Sequence, residues 1–567
     1  MANVQQETEQ GKGKKDIWFV CFESVRLASA GGLGDAVANL SETLSNHARV
    51  TLFIPSHGRH SDNDIKQTLG LSDTGLSFKG ERIGYDGSKH PYMIGVEEGR
   101  YLGVRYFVFK GLDPATAGLL QNRSIYGDEL TYQKASLLAR GVRAFAKLVL
   151  QRRQLDEIPD IIHMHDWHSV PAGISAWQAF NERRVYPALV FSVHLLSFRK
   201  IPWHYVSEQW SGLRDQGHYI SSGGAYHFVD SFRTVWESMS DGSFEKFGSN
   251  EADFVTTVSG SYLADSLLPY LGKGAEGKSS YVYNGCDWNH AAMMDELVPR
   301  FRGEVTDTLS RRRLRAFVLG SLLPTLKTPD NASLKPLRDG PLVLATGRAD
   351  RQKGMDLLLD AVPEVLKILP SAKFLVLLLP TDDANYQESL KKKALGYREN
   401  VALVIGNTSG IYKPAYLASD IYAMPSRWEP FGITALEAMA TGNPVVGSCT
   451  GGIRESVVDL SVDTKNGTGL LVNPEDRQAL AGALASLLVV MEADGADART
   501  RTELSNEASL EFLRTVVAVD GSFGSRLRVT CVRRVQENFT WKHSAARMEL
   551  CYDRAIRYAK ERSSAWY

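Results

Sequence analysis

The residues best suited to chemistry gather in Pro425-Ser-Arg-Trp-Glu-Pro-Phe-Gly-Ile-Thr-Ala-Leu-Glu437 and, shortly after, in Thr450-Gly451-Gly452. Asp420-Ile-Tyr-Ala-Met424 before the first run reads as a buried strand. Beyond Phe431 and Gly432 the pattern turns helical, with Leu436, Met439 and Ala440 available for one face. A strand that ends in a glycine-containing loop and opens a helix offers backbone N–H groups and a positive dipole end, which suits an anion such as a diphosphate. Glu429 sits in that loop and Glu437 follows about two helical turns later. A carboxylate repels phosphate but accepts hydrogen bonds from hydroxyls, so the combination points to a sugar nucleotide. Two glutamates at this spacing also occur simply as a solvated loop residue and an ordinary helix residue.

Other polar sets follow the same strand-end logic. Ala28-Ser-Ala-Gly31-Gly32-Leu-Gly34 links the apolar run Ile17 to Phe22 to a helix containing Ala38, Leu40 and Leu44, and serves either as a plain turn or as a phosphate cradle. Arg348-Ala-Asp-Arg-Gln-Lys353-Gly354 follows the run Leu342 to Thr346; it is either an exposed basic turn or a cationic anion site. Thr450-Gly451-Gly452 before Ile453 admits the same two readings. His163-x-His165-Asp166-x-His168 closes the run that starts at Ile161. Histidines so clustered suggest a metal, a structural polar cluster or a ligand-lining segment; Trp167 stands where a metallo-β-lactamase pattern has its aspartate, and a second ligand cluster is missing. His194 ends the mostly apolar run from Ala188, and Asn284-Gly285 follows the run Ser280 to Tyr283.

The elements that must position these residues are legible as apolar runs separated by helical stretches. The runs near 17–22, 50–54, 104–109, 161–165, 190–194, 254–258 and 280–283 form one α/β series, and those near 342–346, 372–379, 401–405, 421–424, 444–446 and 469–472 a second. Continuous apolar strands of this kind belong to doubly wound parallel sheets, which bind ligands outside their carboxyl ends. With 567 residues the chain is too long for one core. The expected divisions are a disordered tail over 1–15, a first domain over 16–300, a linker region over 301–340 rich in proline, and a second domain over 341–540 with an insertion or mobile segment at about 493–526. A final helix spans 541–567. Hydrophobic residues make up 43% and charged residues 23%, so two full cores are affordable within ordinary composition. Lys+Arg and Asp+Glu both number 65, so electrostatics gives no reason to expect nucleic acid or an anionic membrane as partner. Five cysteines without CxxC spacing argue against a disulfide scaffold, and the absence of a signal-like segment makes a cytoplasmic setting the expectation.

Arg427-Trp-Glu-Pro-Phe-Gly432 with Glu437 resembles the Glu-x7-Glu motif of retaining nucleotide-sugar glycosyltransferases, and most of all the glycogen and starch synthase family. The resemblance spans nearly the whole chain, apart from 300–340 and 493–526. It implies two Rossmann-like domains facing across a cleft, the GT-B architecture, with the last helix crossing back onto the first domain. It also implies glucose transfer from UDP-glucose or ADP-glucose to the non-reducing end of glycogen or another α-1,4-glucan, with retention. By the match, Arg348 and Lys353 meet the donor diphosphate, Thr450, Gly451 and Gly452 the distal phosphate, and Glu437 the ribose. Glu429 would orient the sugar, with Gly31, Gly32, Asn284, Phe431 and Gly432 also on the donor, and His194 holding the transferred glucose. Asp166 and His168 would line the acceptor site. No metal or other cofactor is implied, because the two cations take the charge of the leaving diphosphate. Tyr412 is a candidate for stacking on the base, and neither the base nor the oligomeric state is legible. Two departures stand out: Ser29 occupies the position where the family carries lysine, and Leu195 the position of its usual asparagine. They leave open two alternatives, a related retaining enzyme with another acceptor and a catalytically silent glucan-binding homologue.

Overall fold

The computed structural model describes residues 13–152, 157–222, 225–297, 311–326 and 334–565. Residues 1–12 of the expected tail and residues 301–310 and 327–333 of the expected linker lie outside the described residues. The chain divides into two compact units, Met1–Tyr283 with Trp541–Tyr567 and Asn284–Thr540.

The first unit is built on a nine-stranded sheet. Its strands are β1 (Asp16–Val20), β2 (Arg49–Pro55), β3 (Ser72–Ile83), β4 (Lys89–Tyr101), β5 (Val104–Gly111), β6 (Ile161–His165), β7 (Ala188–Val193), β10 (Phe254–Thr257) and β11 (Ser279–Tyr281). A separate hairpin joins β8 (His218–Ser222) to β9 (Ala225–Val229). The order across the sheet is β11-β10-β7-β6-β1-β2-β5-β4-β3. All neighbours from β11 to β5 run parallel, and every residue of β6 and β7 is buried, as expected of strands covered by helices on both faces. β3 and β4 form a long antiparallel hairpin on the β5 edge, with exposed residues along much of β3. The apolar-run reading missed this hairpin because its residues are mainly polar and its one face is solvated.

The last helix, Trp541–Ser564, closes the first unit's core. Trp541, Met548, Tyr552, Ala555 and Ala559 pack with Ile17, Phe19, Val190 and Phe254. Fully burying side chains the size of Met548, Ile17, Phe19, Val190 and Phe254 contributes about 1.5–3 kcal/mol each. Polar pins fix the register: Tyr552 Oη and His163 Nδ1 are 2.9 Å apart, and Arg562 reaches the Glu251 carbonyl at 2.9 Å and Asp253 at 2.7 Å.

The second unit holds a six-stranded parallel sheet of β12 (Leu342–Arg348), β13 (Lys373–Leu379), β14 (Val401–Ile405), β15 (Ile421–Met424), β16 (Val445–Ser448) and β17 (Gly469–Val472), in the order β14-β13-β12-β15-β16-β17. The described part of the expected linker contributes the helix Arg311–Phe317. Its Arg311 guanidinium donates to the carbonyls of Ser419 and Thr441 and to Asn443 Oδ1, tying the turns that enter β15 and β16. The stretch read as an insertion or mobile segment is helical over Ala498–Glu507 and Glu511–Val519 and runs into a third helix, Phe523–Asn538.

Candidate functional site

In an open α/β sheet the crevice for a ligand opens at the carboxyl ends of the strands, where the strand order reverses. In the second unit the reversal lies between β12 and β15. The loop after β12 carries Arg348 and Lys353, and the loop after β15 carries Glu429. The structure brings two of these together: Lys353 Nζ donates to Glu429 Oε2 at 2.6 Å. Both groups are largely shielded, with side-chain exposures of 16% and 7%, so the attraction is less screened than at an open surface. Ser426 Oγ donates to the same carboxylate oxygen at 3.2 Å.

Each side of this pair is held by its own loop. Asp350 accepts the Lys353 N–H at 3.2 Å and opens a short 3₁₀ turn, and Gly354 follows at φ 64°. A Cβ at Gly354 would meet the Pro425 carbonyl at 2.0 Å, so glycine is required for the two loops to touch. Arg427 then stitches them, donating through both guanidinium nitrogens to Asp356 at 3.0 and 2.9 Å and to the Arg351 carbonyl at 2.7 Å. Arg348 pairs with Asp350 at 3.1 Å and Gln352 at 3.0 Å and stays partly open to solvent.

Thr450, Gly451 and Gly452 lie directly against the glutamate loop. A Cβ at Gly451, where φ is 46°, would fall 1.8 Å from the Glu429 carbonyl, and one at Gly452 would fall 2.5 Å from Phe431 Cα. The Gly452 N–H donates to that Glu429 carbonyl at 3.2 Å and the Thr450 N–H to Ser448 at 2.8 Å. These two amides, expected to be offered to phosphate, are therefore engaged within the chain, and the glycines act first as spacers for close backbone packing. Gly432, at φ 92°, caps the helix Ile433–Ala440. On that helix Glu437 accepts from the Tyr412 hydroxyl at 2.9 Å. Tyr412 packs on Tyr416 and on the edge of Trp288, and its hydroxyl serves Glu437. Burial and the nearby Glu437 carboxylate push the Tyr412 hydroxyl well above the usual phenol range. Asn284 is half-buried in the irregular chain after β11.

In the first unit the strand order reverses between β1 and β6. Glu23, just beyond β1, is the functional candidate that the sequence did not announce. Its Oε2 accepts the N–H groups of Ala30 and Gly31 at 2.6 and 3.2 Å, and Ser29 Oγ lies 3.3 Å away. The Ala30 and Gly31 amides thus face an internal carboxylate. Gly32 begins the helix Gly32–Leu44. Burial raises the Glu23 pKa above its ordinary value, although the surrounding hydrogen bonds oppose the shift. Tyr126 donates to Glu23 Oε1, and its hydroxyl lies 3.3 Å from His168 Nε2, so one tyrosine joins the two strand-end loops. Only the folded chain places residues 23, 126 and 168 together; the closest sequence signal was a carboxylate directly after a strand.

Asp166 and His194 also meet. Asp166 stands at φ 58°, and its Oδ1 accepts the N–H groups of His194 at 2.6 Å and Leu195 at 3.2 Å. Burial drives the Asp166 carboxyl up to about 8, outweighing those two donors. His168 stacks on Phe22 at 4.5 Å, and burial holds it neutral, down to about 3. His194 is lowered to about 4 for the same reason. The metal reading of the histidine cluster meets a competing use: His163 bonds with Tyr552 and Ser192, and His165 Nδ1 lies 3.2 Å from His194 Nε2. Among the described residues no group of three or more His, Cys, Asp or Glu could hold a metal ion.

Residues 16–279 match the family model of the starch synthase catalytic domain, and residues 340–489 that of glycosyl transferases group 1. The chain belongs to the glycogen and starch synthase family. Members of this family are retaining GT-B glycosyltransferases, and this chain is one. Among its relatives, the glycogen synthase of Desulfitobacterium hafniense is 27% identical over 458 residues, covering 80% of this chain and 86% of that protein. The glycogen synthase of Thioalkalivibrio sulfidiphilus is 27% identical over 508 residues, covering 84% and 92%. The catalytic domain of starch synthase IV from Arabidopsis thaliana, solved with ADP and acarbose, shares the fold at a TM-score of 0.68 and 20% identity, over 96% of this chain and 100% of that one. Sucrose-phosphate synthase from Thermosynechococcus elongatus follows at a TM-score of 0.53 and 19% identity, over 95% and 98%. Ser29, singled out in the sequence, donates through Oγ to the Gly31 carbonyl at 2.9 Å and to Glu23 Oε2 at 3.3 Å. Among the described residues no helix is long and apolar enough to cross a membrane.

Proposed function

We propose that this glycogen synthase-type enzyme transfers glucose from UDP-glucose or ADP-glucose to the non-reducing 4-OH of an α-1,4-glucan, with retention. The observation that carries the reading is the Lys353–Glu429 pair at the strand-order reversal of the second sheet. A cation and a carboxylate at that point suit the two halves of a sugar nucleotide. Lys353 and Arg348 face the diphosphate, which gains negative charge as the glycosidic bond breaks, and Glu429 accepts hydrogen bonds from the hexose hydroxyls. Fixed charges aimed at developing charge favour the transition state over the ground state.

Glu437, steadied by Tyr412, accepts from the ribose hydroxyls. Retention proceeds by attack on the face from which the leaving group departs, and the departing phosphate oxygen takes the acceptor proton. In this reading Asp166 orients the backbone around His194, which holds the transferred glucose, while His168 meets the acceptor. Arg348 and Lys353 supply the positive charge, and no resident metal takes part. Glu23 accepts the Ala30 and Gly31 amides, and in this reading the charge on the diphosphate is met by Arg348 and Lys353. A panel of nucleotide sugars with glycogen tests the proposal. Nucleoside diphosphate release matched by chain lengthening supports it, and release without lengthening, or neither, refutes it.

A further inference from the structure

Lys134, in the helix Asp128–Gln151, is fully buried, and among the described residues no carboxylate pairs with it. Its Nζ lies 2.9 Å from His57 Nδ1, 2.8 Å from the Asn122 carbonyl and 2.6 Å from the Ser124 carbonyl. An ammonium has three N–H donors, and here each has one acceptor. The chain thus keeps a charge where an apolar side chain of similar length would pack at lower cost.

His57 is held from both sides. Its Nε2 lies 2.9 Å from the Phe22 carbonyl, which can only accept, so Nε2 carries the proton and Nδ1 is bare toward Lys134. Burial first, and Lys134 second, keep the ring neutral, well below the usual histidine range. His57 also stands at φ 46°, a left-handed conformation that its two pinned nitrogens stabilise. The clamp joins the segments that carry the acceptor-side groups. Phe22 precedes Glu23 and stacks on His168. Ser124 comes shortly before Tyr126, whose hydroxyl bridges Glu23 and His168. Lys134 acts on these groups through the backbone of their loops.

We infer that Lys134 is a positioning residue for glucosyl transfer: by tying His57 to the 122–124 backbone, its ammonium fixes Tyr126, and through Tyr126 the Glu23 carboxyl and the His168 ring. The inference rests on the reading of His168 as an acceptor contact and deepens it. The clamp needs the charge. A neutral amine has two donors and a lone pair, so one of the three acceptors goes unserved. A flip of the His57 tautomer does not restore the set, because Nε2 then gives up its bond to the Phe22 carbonyl. Burial lowers the Lys134 ammonium to about 8, so the clamp is complete below that pH and opens above it. The other charged or titratable groups around it are Arg59 after β2, Glu23 after β1 and His168 after β6, which burial keeps neutral. Arg123, in the clamped loop, pairs with Asp62.

The test uses the full chain with glycogen and a nucleotide glucose, in wild type, Lys134→Met, Tyr126→Phe and the double variant. In Lys134→Met, kcat falls about ten- to a hundred-fold, the scale of a small displacement at a reacting site, and donor affinity by titration calorimetry stays within about two-fold. In the Tyr126→Phe background the same replacement lowers kcat less than about three-fold, because the hydroxyl it positions is already gone. Wild-type kcat falls above pH 8 with one ionisation that is missing in Lys134→Met. Circular dichroism checks each fold. If Lys134→Met unfolds, His57→Leu takes its place with the same fall in kcat, while His57→Gln, whose amide serves both Lys134 and the Phe22 carbonyl, stays within about three-fold of wild type. Equal losses with and without the Tyr126 hydroxyl, kcat within about two-fold of wild type, or equal activity of His57→Leu and His57→Gln overturns the positioning role and leaves the transferase reading intact. A wild-type protein that releases nucleotide without lengthening glycogen, or does neither, overturns the acceptor reading and the inference with it.

Discussion

Replacing Lys353 by methionine separates the chemical role of the ammonium from its structural one. The 2.6 Å contact with Glu429 is a charge-assisted hydrogen bond in a mostly shielded site, a class that contributes about 1.5–3 kcal/mol. Its loss leaves Glu429 with the Ser426 hydroxyl alone, so Lys353→Met lowers unfolding free energy by about 1.5–3 kcal/mol. Adding Glu429→Gln removes the stranded charge, and the double variant regains much of that stability, as expected when both members of a buried pair are neutralised. Activity follows a different course. The ammonium meets a group whose charge grows during bond cleavage, and losing one preorganised contact of this kind costs about 2.7–4 kcal/mol of barrier, roughly 10²–10³ in kcat. The donor KM stays within a few-fold, because the loss falls on the transition state. Chemical denaturation and a nucleotide-release assay on wild type, both single variants and the double variant give the full cycle. Lys353→Met with kcat within about five-fold of wild type, or a double variant that recovers turnover together with stability, would refute the assignment.

Other perturbations probe the remaining contacts. Tyr412→Phe removes the hydrogen bond to Glu437, and steady-state kinetics shows a donor KM raised about three- to ten-fold with kcat nearly unchanged, consistent with a loss of about 1 kcal/mol. Ser29→Lys places an ammonium beside the buried Glu23 carboxyl, which captures it; donor affinity by titration calorimetry stays within about three-fold, and a ten-fold gain would reveal an unfilled phosphate contact. His168 is lowered to about 3 in the folded protein and titrates near 6.5 when unfolded. The unfolded chain therefore binds the extra proton between those values, and stability falls with acid by about 1.4 kcal/mol per pH unit from this group. Denaturation of His168→Gln across pH 4–6 shows a shallower slope than wild type, and identical slopes would contradict the buried neutral ring.

Much of the fold was legible because parallel strands buried on both faces write themselves as continuous apolar runs: β6, β14, β15 and β17 begin and end where those runs do. Lys353 and Glu429 were legible because each stands in a polar loop directly after such a strand, next to a glycine with a steric task. The β3–β4 hairpin was not, since a half-solvated antiparallel pair carries little apolar signal. Glu23 was missed for a different reason. Its meaning comes from Tyr126 and from the Ala30 and Gly31 amides, and the tyrosine lies far away in the chain. The engaged amides of Thr450 and Gly452 show the same limit: a glycine pair after a strand signals close backbone approach, and only coordinates tell whether a ligand or another loop makes that approach.

The most direct measurement follows the anomeric carbon itself. With glycogen and a nucleotide glucose labelled with ¹³C at that carbon, the account predicts an α-1,4-linked glucosyl signal in the polymer and an equal amount of nucleoside diphosphate. A β-linked product, free labelled glucose as the sole product, or label that never leaves the nucleotide would contradict it.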